Sequence, residues 1–434
     1  MPVDSIPPAP GTMTRRDWGI VAVLAAVNFT HMVDFVIIMP LGKTLMAEFQ
    51  IDPDKFSAII GVYGLAAGVA SILASLVFDR FDRKYVLAFA YAGFAAATLF
   101  CGLAKNYEQM LAARGLAGAF GGLASAAIMA VIGDAFRLDQ RGKATGAVMS
   151  AFAVATVAGL PIGLLLAGEF GRGTPFKTLA GLGLFVLAAI VWFLPAFRAH
   201  LGVARRNVLA EFAVVVREPR HQVAFLFTLS LVLGTFTVAS FIGPYYLASN
   251  PGWTEGRELA IIYLVAGLLT LISMNVIGKL SDRLPRRAVF TVMASLALVL
   301  CLVITTVPVS NLAVAAGLLS AFMVCAVGRM VPAQAMLIGV PLARNRGAFS
   351  SLNTAVSNLT TGLAPVIAGA IVTKQDDGTF SNYPLVGLFG ACAAAGSIVL
   401  YRYVRPVAEP GRAGVVPAAT ALPVPALEPT TAAV

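Results

Sequence analysis

The chain has 434 residues, of which 59% are hydrophobic and only 12% charged, with a formal net charge of +10. Soluble domains hold roughly 45–50% apolar and about 25% charged residues, so water is not the main solvent of this chain. Its Lys and Arg lie in short segments between apolar runs and not along one amphipathic face, which argues against a nucleic-acid surface as the source of the basicity.

Apolar stretches of about 20 residues, the length that carries an α-helix across roughly 30 Å of hydrocarbon, recur along the chain. Residues 1–17 are Pro-rich with no small-residue cleavage site after the first apolar run, and are expected to be a retained cytoplasmic tail. Predicted spans follow at 18–40, 56–78, 85–104, 109–132, 143–167 and 176–195, making a first six-helix bundle over 18–195. A polar central loop at 196–221, with Arg198, Arg205, Arg206, Arg217, Arg220 and an interfacial helix predicted at 208–216, leads to a second bundle over 222–404. Its spans are predicted at 222–248, 258–280, 287–307, 311–337, 347–373 and 383–404. Residues 405–434 are Pro/Ala-rich and aperiodic, the composition of a disordered cytoplasmic tail. The fold class is therefore all-α membrane protein, with twelve transmembrane helices.

Twelve spans return the chain to the side on which it started. About 22 Lys and Arg fall on that side and about 7 on the other, and the positive-inside rule then places both termini in the cytoplasm. Trp18, Trp192 and Trp253 all fall at span ends, where an indole favours the headgroup region. Cys101, Cys301, Cys325 and Cys392 have neither paired nor metal-ligand spacing and read as small core residues.

The chain also repeats itself. Ser75–Lys84 (SLVFDRFDRK) follows the second span and Gly278–Arg287 (GKLSDRLPRR) the eighth, so that Asp79 and Asp282 are about 203 residues apart. The same offset, to within two residues, relates Pro40 to Pro244, Arg141–Gly142 to Arg346–Gly347, and Pro161 to Pro365. Six spans per half preserve orientation, so the halves are related by an axis along the membrane normal, a repeat class associated with secondary transporters.

With these landmarks the chain resembles the major facilitator superfamily, whose loop between the second and third spans reads G-x-L-x-D-R-x-G-R-R/K. The second copy fits through Asp282 and Arg283; the first departs at Ser75, Val77 and Asp82, the last adding an unexpected carboxylate. The resemblance implies two pseudo-symmetric six-helix bundles and makes Asp79 and Asp282 conformational latches. Arg80, Arg83, Arg141 and Arg346 join them as gating residues, although Arg83 also fits a purely topological role. Leu111–Gly122 resembles the family's R-x-x-x-G element through Arg114, and Gly159-Leu160-Pro161-Ile162-Gly163 resembles the antiporter motif in its G-x-P-x-G form, with Gly159 and Pro161 letting the fifth span bend and pack closely.

An ionised side chain at the bilayer centre costs about 2.5–3.5 kcal/mol on insertion scales, so one that is present is a functional candidate. Asp34 is the one carboxylate placed well inside a span, and Asn28, His31 and Asp34 form a helical stripe expected to face a central cavity. Asp34 is the candidate proton-coupling acid, His31 a relay, Arg114 a fixed cation; the structural alternative is an Asp34 permanently paired between helices. Phe35, Tyr63, Tyr245 and Tyr263, with Phe29 and Tyr246, are candidate cavity aromatics. Arg329 does not repeat Arg114 and falls nearer the cytoplasmic end, which fits gating or topology better than substrate contact.

Within the superfamily the motifs look most like the twelve-span drug:proton antiporters and sugar-efflux proteins. The resemblance implies proton-coupled efflux of small organic or drug-like molecules by alternating access. The energy source is a proton gradient, with no cofactor and no metal. The partners are substrate, protons and the lipid bilayer, and the chain acts as a monomer in the plasma membrane, the inner membrane of a bacterium. Transport of a sugar or organic acid, with Arg114 meeting an anion, and a non-transporting receptor or scaffold are the competing readings. No P-loop, metal cluster or nucleophile elbow is present in the sequence, so no enzyme is expected.

Overall fold

A computed structural model describes residues 13–198, 201, 207–375 and 378–406, without the side chains of Val77, Asp79, Leu138 and Ala343. Of the tails expected at 1–17 and 405–434, residues 1–12 and 407–434 lie outside the described residues, as do Arg205 and Arg206. Among the described residues, twelve helices are long and apolar enough to cross a membrane: Arg15–Ile37, Pro53–Leu76, Arg83–Leu103, Tyr107–Ala135, Asp139–Phe170, Thr174–Phe193, Pro219–Ser249, Glu255–Arg283, Arg286–Thr306, Leu312–Ile338, Arg346–Ile371 and Tyr383–Tyr401. The largest departure from the sequence boundaries is at the fifth span, which begins at Asp139 and not at residue 143.

Local chemistry sets these ends. Thr14 and Asp17 form a reciprocal capping box before the first span, with the Asp17 N–H donating to Thr14 Oγ1 at 3.2 Å and the Thr14 N–H to Asp17 Oδ2 at 2.8 Å. That span ends at Ile37, earlier than residue 40, because the residue before Pro40 is pushed out of helical geometry. A short helix, Gly42–Phe49, then turns off through Gln50 at φ 51°. The interfacial helix forms at Val208–Arg217, with Phe212 and Val215 buried. A two-stranded hairpin pairing Thr373–Lys374 with Phe380–Ser381 joins the last two spans. Cys101, Cys301 and Cys325 are buried, but Cys392 is exposed on the twelfth span, a correction to its reading as core. The alternation of small residues there put all four thiols on apolar helices without saying which face each takes.

The two bundles meet through glycine. The second and eleventh spans approach so closely that a Cβ on Gly64 would collide with the backbone of Gly362 and stand 2.8 Å from the Asn358 carbonyl. A Cβ on Gly362 would lie 2.5 Å from the Gly61 carbonyl oxygen. Between the fifth and eighth spans, Gly267 packs on the backbone of Thr156 and Gly168 on that of Gly256. Without an aqueous driving force between helices, this backbone proximity supplies the dispersion that holds the halves together. Thr156 lies in a π-helical turn, Ala155–Gly159, directly ahead of Pro161. Proline's missing N–H leaves the helical ladder one donor short there, and the widened turn absorbs the defect.

Toward the end away from the termini, the Lys43 Nζ donates to the Leu247 carbonyl at 2.9 Å and the Thr44 N–H to Glu255 Oε1 at 3.2 Å, tying the short helix to the second bundle. Arg172 and Glu48 pair within the first bundle, holding the same helix from its own side. Replacing Gly362 with Val should therefore cost about 1–3 kcal/mol, the usual overpacking penalty, read as a lowered thermal unfolding midpoint in detergent. Gly347→Ala, whose added Cβ meets nothing within 4 Å, should leave the midpoint unchanged.

Candidate functional site: a buried charged cluster in the first bundle

The first and fourth spans bring Asp34 against Arg114. Arg114 Nη1 donates to Asp34 Oδ2 at 2.9 Å and to the Asp34 carbonyl at 3.2 Å, and neither side chain has any exposure. Arg114 therefore does not snorkel to an interface. Its guanidinium carbon lies 4.3 Å from the ring centroid of Tyr63 on the second span, so the ring face supplies a second complement to the charge. The third span completes the site with Thr98 and Cys101, both within electrostatic reach of the pair.

His31 sits one turn before Asp34, between the rings of Phe94 at 5.6 Å and Tyr63 at 5.9 Å. The glycines of Leu111–Gly122 make this possible: a Cβ on Gly121 would stand 2.6 Å from His31 Nε2, and one on Gly118 only 2.7 Å from the Tyr63 Cα. Neither ring nitrogen of His31 has a hydrogen-bond partner among the described residues, nor does Asp34 Oδ1, the Tyr63 hydroxyl, or Arg114 Nε and Nη2. Buried polar groups are nearly always satisfied, so this concentration of free donors and acceptors marks a site with proton positions to fill.

The remaining predicted residues separate. Asn28 is buried but donates from Nδ2 to the Val148 carbonyl at 3.0 Å, so it links the first and fifth spans away from the charged cluster. The stripe of Asn28, His31 and Asp34 thus turns into the first bundle, whereas the sequence placed it on a central cavity; the ion pair with Arg114 and the Asn28 bond draw it inward. Phe35 bridges the halves, with ring centroids 5.5 Å from Tyr63 and 5.8 Å from Phe236 of the seventh span. Tyr245 lies 4.6 Å from Tyr383, and Tyr263 is partly buried against the core, both within the second bundle. Gly159 packs on Val33 and Gly163 on Ile37, so the G-x-P-x-G segment supports the helix that carries Asp34.

Among the loop residues, Arg83 pairs with Asp134 at 3.3 Å, and Arg141 caps the fourth span by donating to the Gly133 carbonyl at 2.6 Å and the Phe136 carbonyl at 3.0 Å. Arg80, Asp282, Arg283 and Arg346 are exposed, and Asp282 makes no ion pair among the described residues. The unexpected Asp82 has a structural answer that its departure from the family pattern hid. Its Oδ1 accepts from the N–H groups of Lys84 and Phe197, each at 3.0 Å, and its Oδ2 from Arg198 Nε at 3.0 Å. Asp82 caps the third span and anchors the chain leaving the sixth. Burial pushes its carboxyl up, but the Phe197 N–H, Arg198 and the Lys84 N–H outweigh burial and hold it below the ordinary 3.8.

A profile of the Major Facilitator Superfamily matches residues 24–340, and the chain belongs to that family. It is 27% identical over 255 residues to the uncharacterized MFS-type transporter YceJ of Bacillus subtilis (strain 168), covering 59% of this chain and 63% of that protein. A probable sugar efflux transporter of Mannheimia succiniciproducens is 22% identical over 66% of this chain and 71% of its own. Among solved structures the nucleoside transporter NupG superposes with TM-score 0.71 at 14% identity, over 89% of this chain and all of its own, a likeness of fold. The protein is thus an integral, multi-pass membrane protein of a transporter family and not an enzyme.

Two outcomes follow from the site. Breaking a buried ion pair from one side costs about 3–5 kcal/mol, so Asp34→Asn and Arg114→Gln should each lower the unfolding midpoint, and the double variant should lose less than the sum. Strict additivity in that double-mutant cycle would mean that the pair does not interact. For Asp82→Ala, capping losses of about 0.5–2 kcal/mol are expected at neutral pH. Because the folded carboxyl titrates below the unfolded one, its contribution is complete above the unfolded 3.8 and vanishes as pH falls through the lower folded value. Wild type and Asp82→Ala should therefore converge only in acid.

Proposed function

We propose that this chain is a proton-coupled antiporter that exports small organic molecules by alternating access, with Asp34 as the coupling acid. The observation that carries the reading is the Asp34–Arg114 pair with no exposure, adjoining unpartnered atoms of His31 and Tyr63. Protonation of Asp34 releases Arg114 from its carboxylate, and deprotonation restores the pair, so a proton taken up on one side changes which groups hold the first and fourth spans together. The G-x-P-x-G segment against Val33 and Ile37 gives that local change a lever at the fifth span, whose π-turn faces Gly267 of the other half.

Efflux is favoured by the name of the sugar efflux relative and by the motifs of the fifth span. With both termini cytoplasmic, as the charge bias of the loops favours, the ties of Lys43 and Thr44 to Leu247 and Glu255 join the two halves at the outward face. The transporter works as a monomer in the plasma membrane. Its site needs no cofactor, because the driving force is the proton gradient.

The test is transport by the purified chain in liposomes, using a panel of dyes and labelled metabolites under an imposed pH gradient. Uphill movement against the gradient is expected in wild type and absent in Asp34→Asn, which should keep downhill exchange. Gradient-driven movement of undiminished extent in Asp34→Asn would remove Asp34 from the coupling role.

A further inference from the structure

Among the described residues, three charged side chains have no exposure: Asp34, Arg114 and Arg329. The first two neutralise one another, and the third has no acid. Arg329 Nη2 donates to the Leu231 carbonyl at 3.0 Å and to Thr235 Oγ1 at 2.8 Å, while Nε and Nη1 have no partner among the described residues. The buried thiols of Cys301 and Cys325 are also near it. Of the two roles the sequence offered Arg329, topology and gating, the structure removes the first, since topology requires a charge that reaches headgroups and this side chain has no exposure.

A guanidinium presents five N–H donors and cannot shed its proton, so it is the most expensive side chain to leave half-bonded in a protein interior. The surrounding backbone is arranged around it. The tenth span runs on through Arg329, whose N–H donates to the Cys325 carbonyl at 3.1 Å and whose carbonyl accepts from the Ala333 N–H at 3.4 Å, but Pro332 withholds the N–H that would otherwise meet the Gly328 carbonyl. Gly234 on the seventh span faces the same group; a Cβ there would stand 3.3 Å from Nη2. Thr235 precedes Phe236, the ring that meets Phe35 of the first bundle, so Arg329 is held at the depth where the two halves touch.

We propose that Arg329 is an anion-binding residue of the transport path, and that the transported molecule carries a carboxylate or a comparable negative group that pairs with its free nitrogens. This deepens the antiport reading and rests on it. A permanent structural role would come with a permanent partner, as Arg114 has in Asp34 and Arg83 has in Asp134. Bilayer lipid does not supply the anion, because Arg329 has no exposure to it. The hydrogen bond that Pro332 removes beside Arg329 makes this the place where the tenth span yields to admit the charged group against the seventh.

Thermal unfolding of the full chain in detergent tests this with four matched probes: benzoate, phenylphosphonate, neutral benzamide and cationic benzylamine. Benzoate or phenylphosphonate should raise the midpoint of wild type, benzamide and benzylamine should not, and the rise should vanish in Arg329→Gln and persist in reduced form in Arg329→Lys. The unliganded Arg329→Gln variant should unfold at the wild-type temperature or above, because removing an uncompensated charge removes its desolvation cost. A lower midpoint would make Arg329 structural and overturn the proposal. So would stabilisation by none of the four probes, by benzamide or benzylamine alone, or by an anion equally in Arg329→Gln. Asp34-dependent flux measured on the same preparation separates the two claims: flux that survives in Arg329→Gln defeats the anion role and leaves the antiport reading standing.

Discussion

The ion pair between Asp34 and Arg114 is the constraint around which the first bundle is built. Two opposite charges removed from solvent cost several kcal/mol each, and their attraction compensates only when geometry is close and the other lone pairs are met. Here the close geometry is present and the satisfaction is incomplete. The fourth-span glycines let Tyr63 and His31 crowd the pair, and the fifth-span glycines let Val33 and Ile37 hold the carrying helix in place. A structure that wanted only stability would have used apolar side chains of the same volume. Keeping an expensive pair, half-satisfied, at the junction of four spans is what the proposed coupling role asks of it.

The two halves share an architecture and differ in charge. Pro40 and Pro244 match in sequence spacing, and so do the two loop copies of the D-R element, but among the described residues the second bundle pairs no acid with Arg329 where the first pairs Asp34 with Arg114. Duplication therefore left one half with a self-contained pair and the other with an open cation. On the reading proposed above, that asymmetry divides the work, with proton exchange in the first half and recognition of charge in the second.

The spans were legible because a membrane helix must be long, apolar and internally hydrogen-bonded, and each of these leaves a mark on composition. Asp34 and Arg114 were legible singly for the same reason: a charge inside an apolar run stands out. Their pairing was not, since nothing in one sequence states which face of the first span meets which face of the fourth. Thr98 and Cys101 carried no signal, being small residues on an apolar helix. Asn28 looked like a member of the stripe because 3.6-residue periodicity reports a shared face of one helix, and its actual partner, the Val148 carbonyl, belongs to another. Asp82 was visible only as a departure from a motif; its capping of the third span and its hold on Phe197 and Arg198 required the fold.

Most directly at stake is whether Asp34 changes protonation as the protein works. Infrared difference spectroscopy on the reconstituted chain, stepping pH with and without a transported substrate, reports the carbonyl stretch of a protonated carboxyl. The account predicts such a band that appears and disappears with pH, shifts when substrate binds, and is missing in Asp34→Asn. A carboxyl that stays ionised and paired with Arg114 throughout, with no band lost in Asp34→Asn, would contradict it.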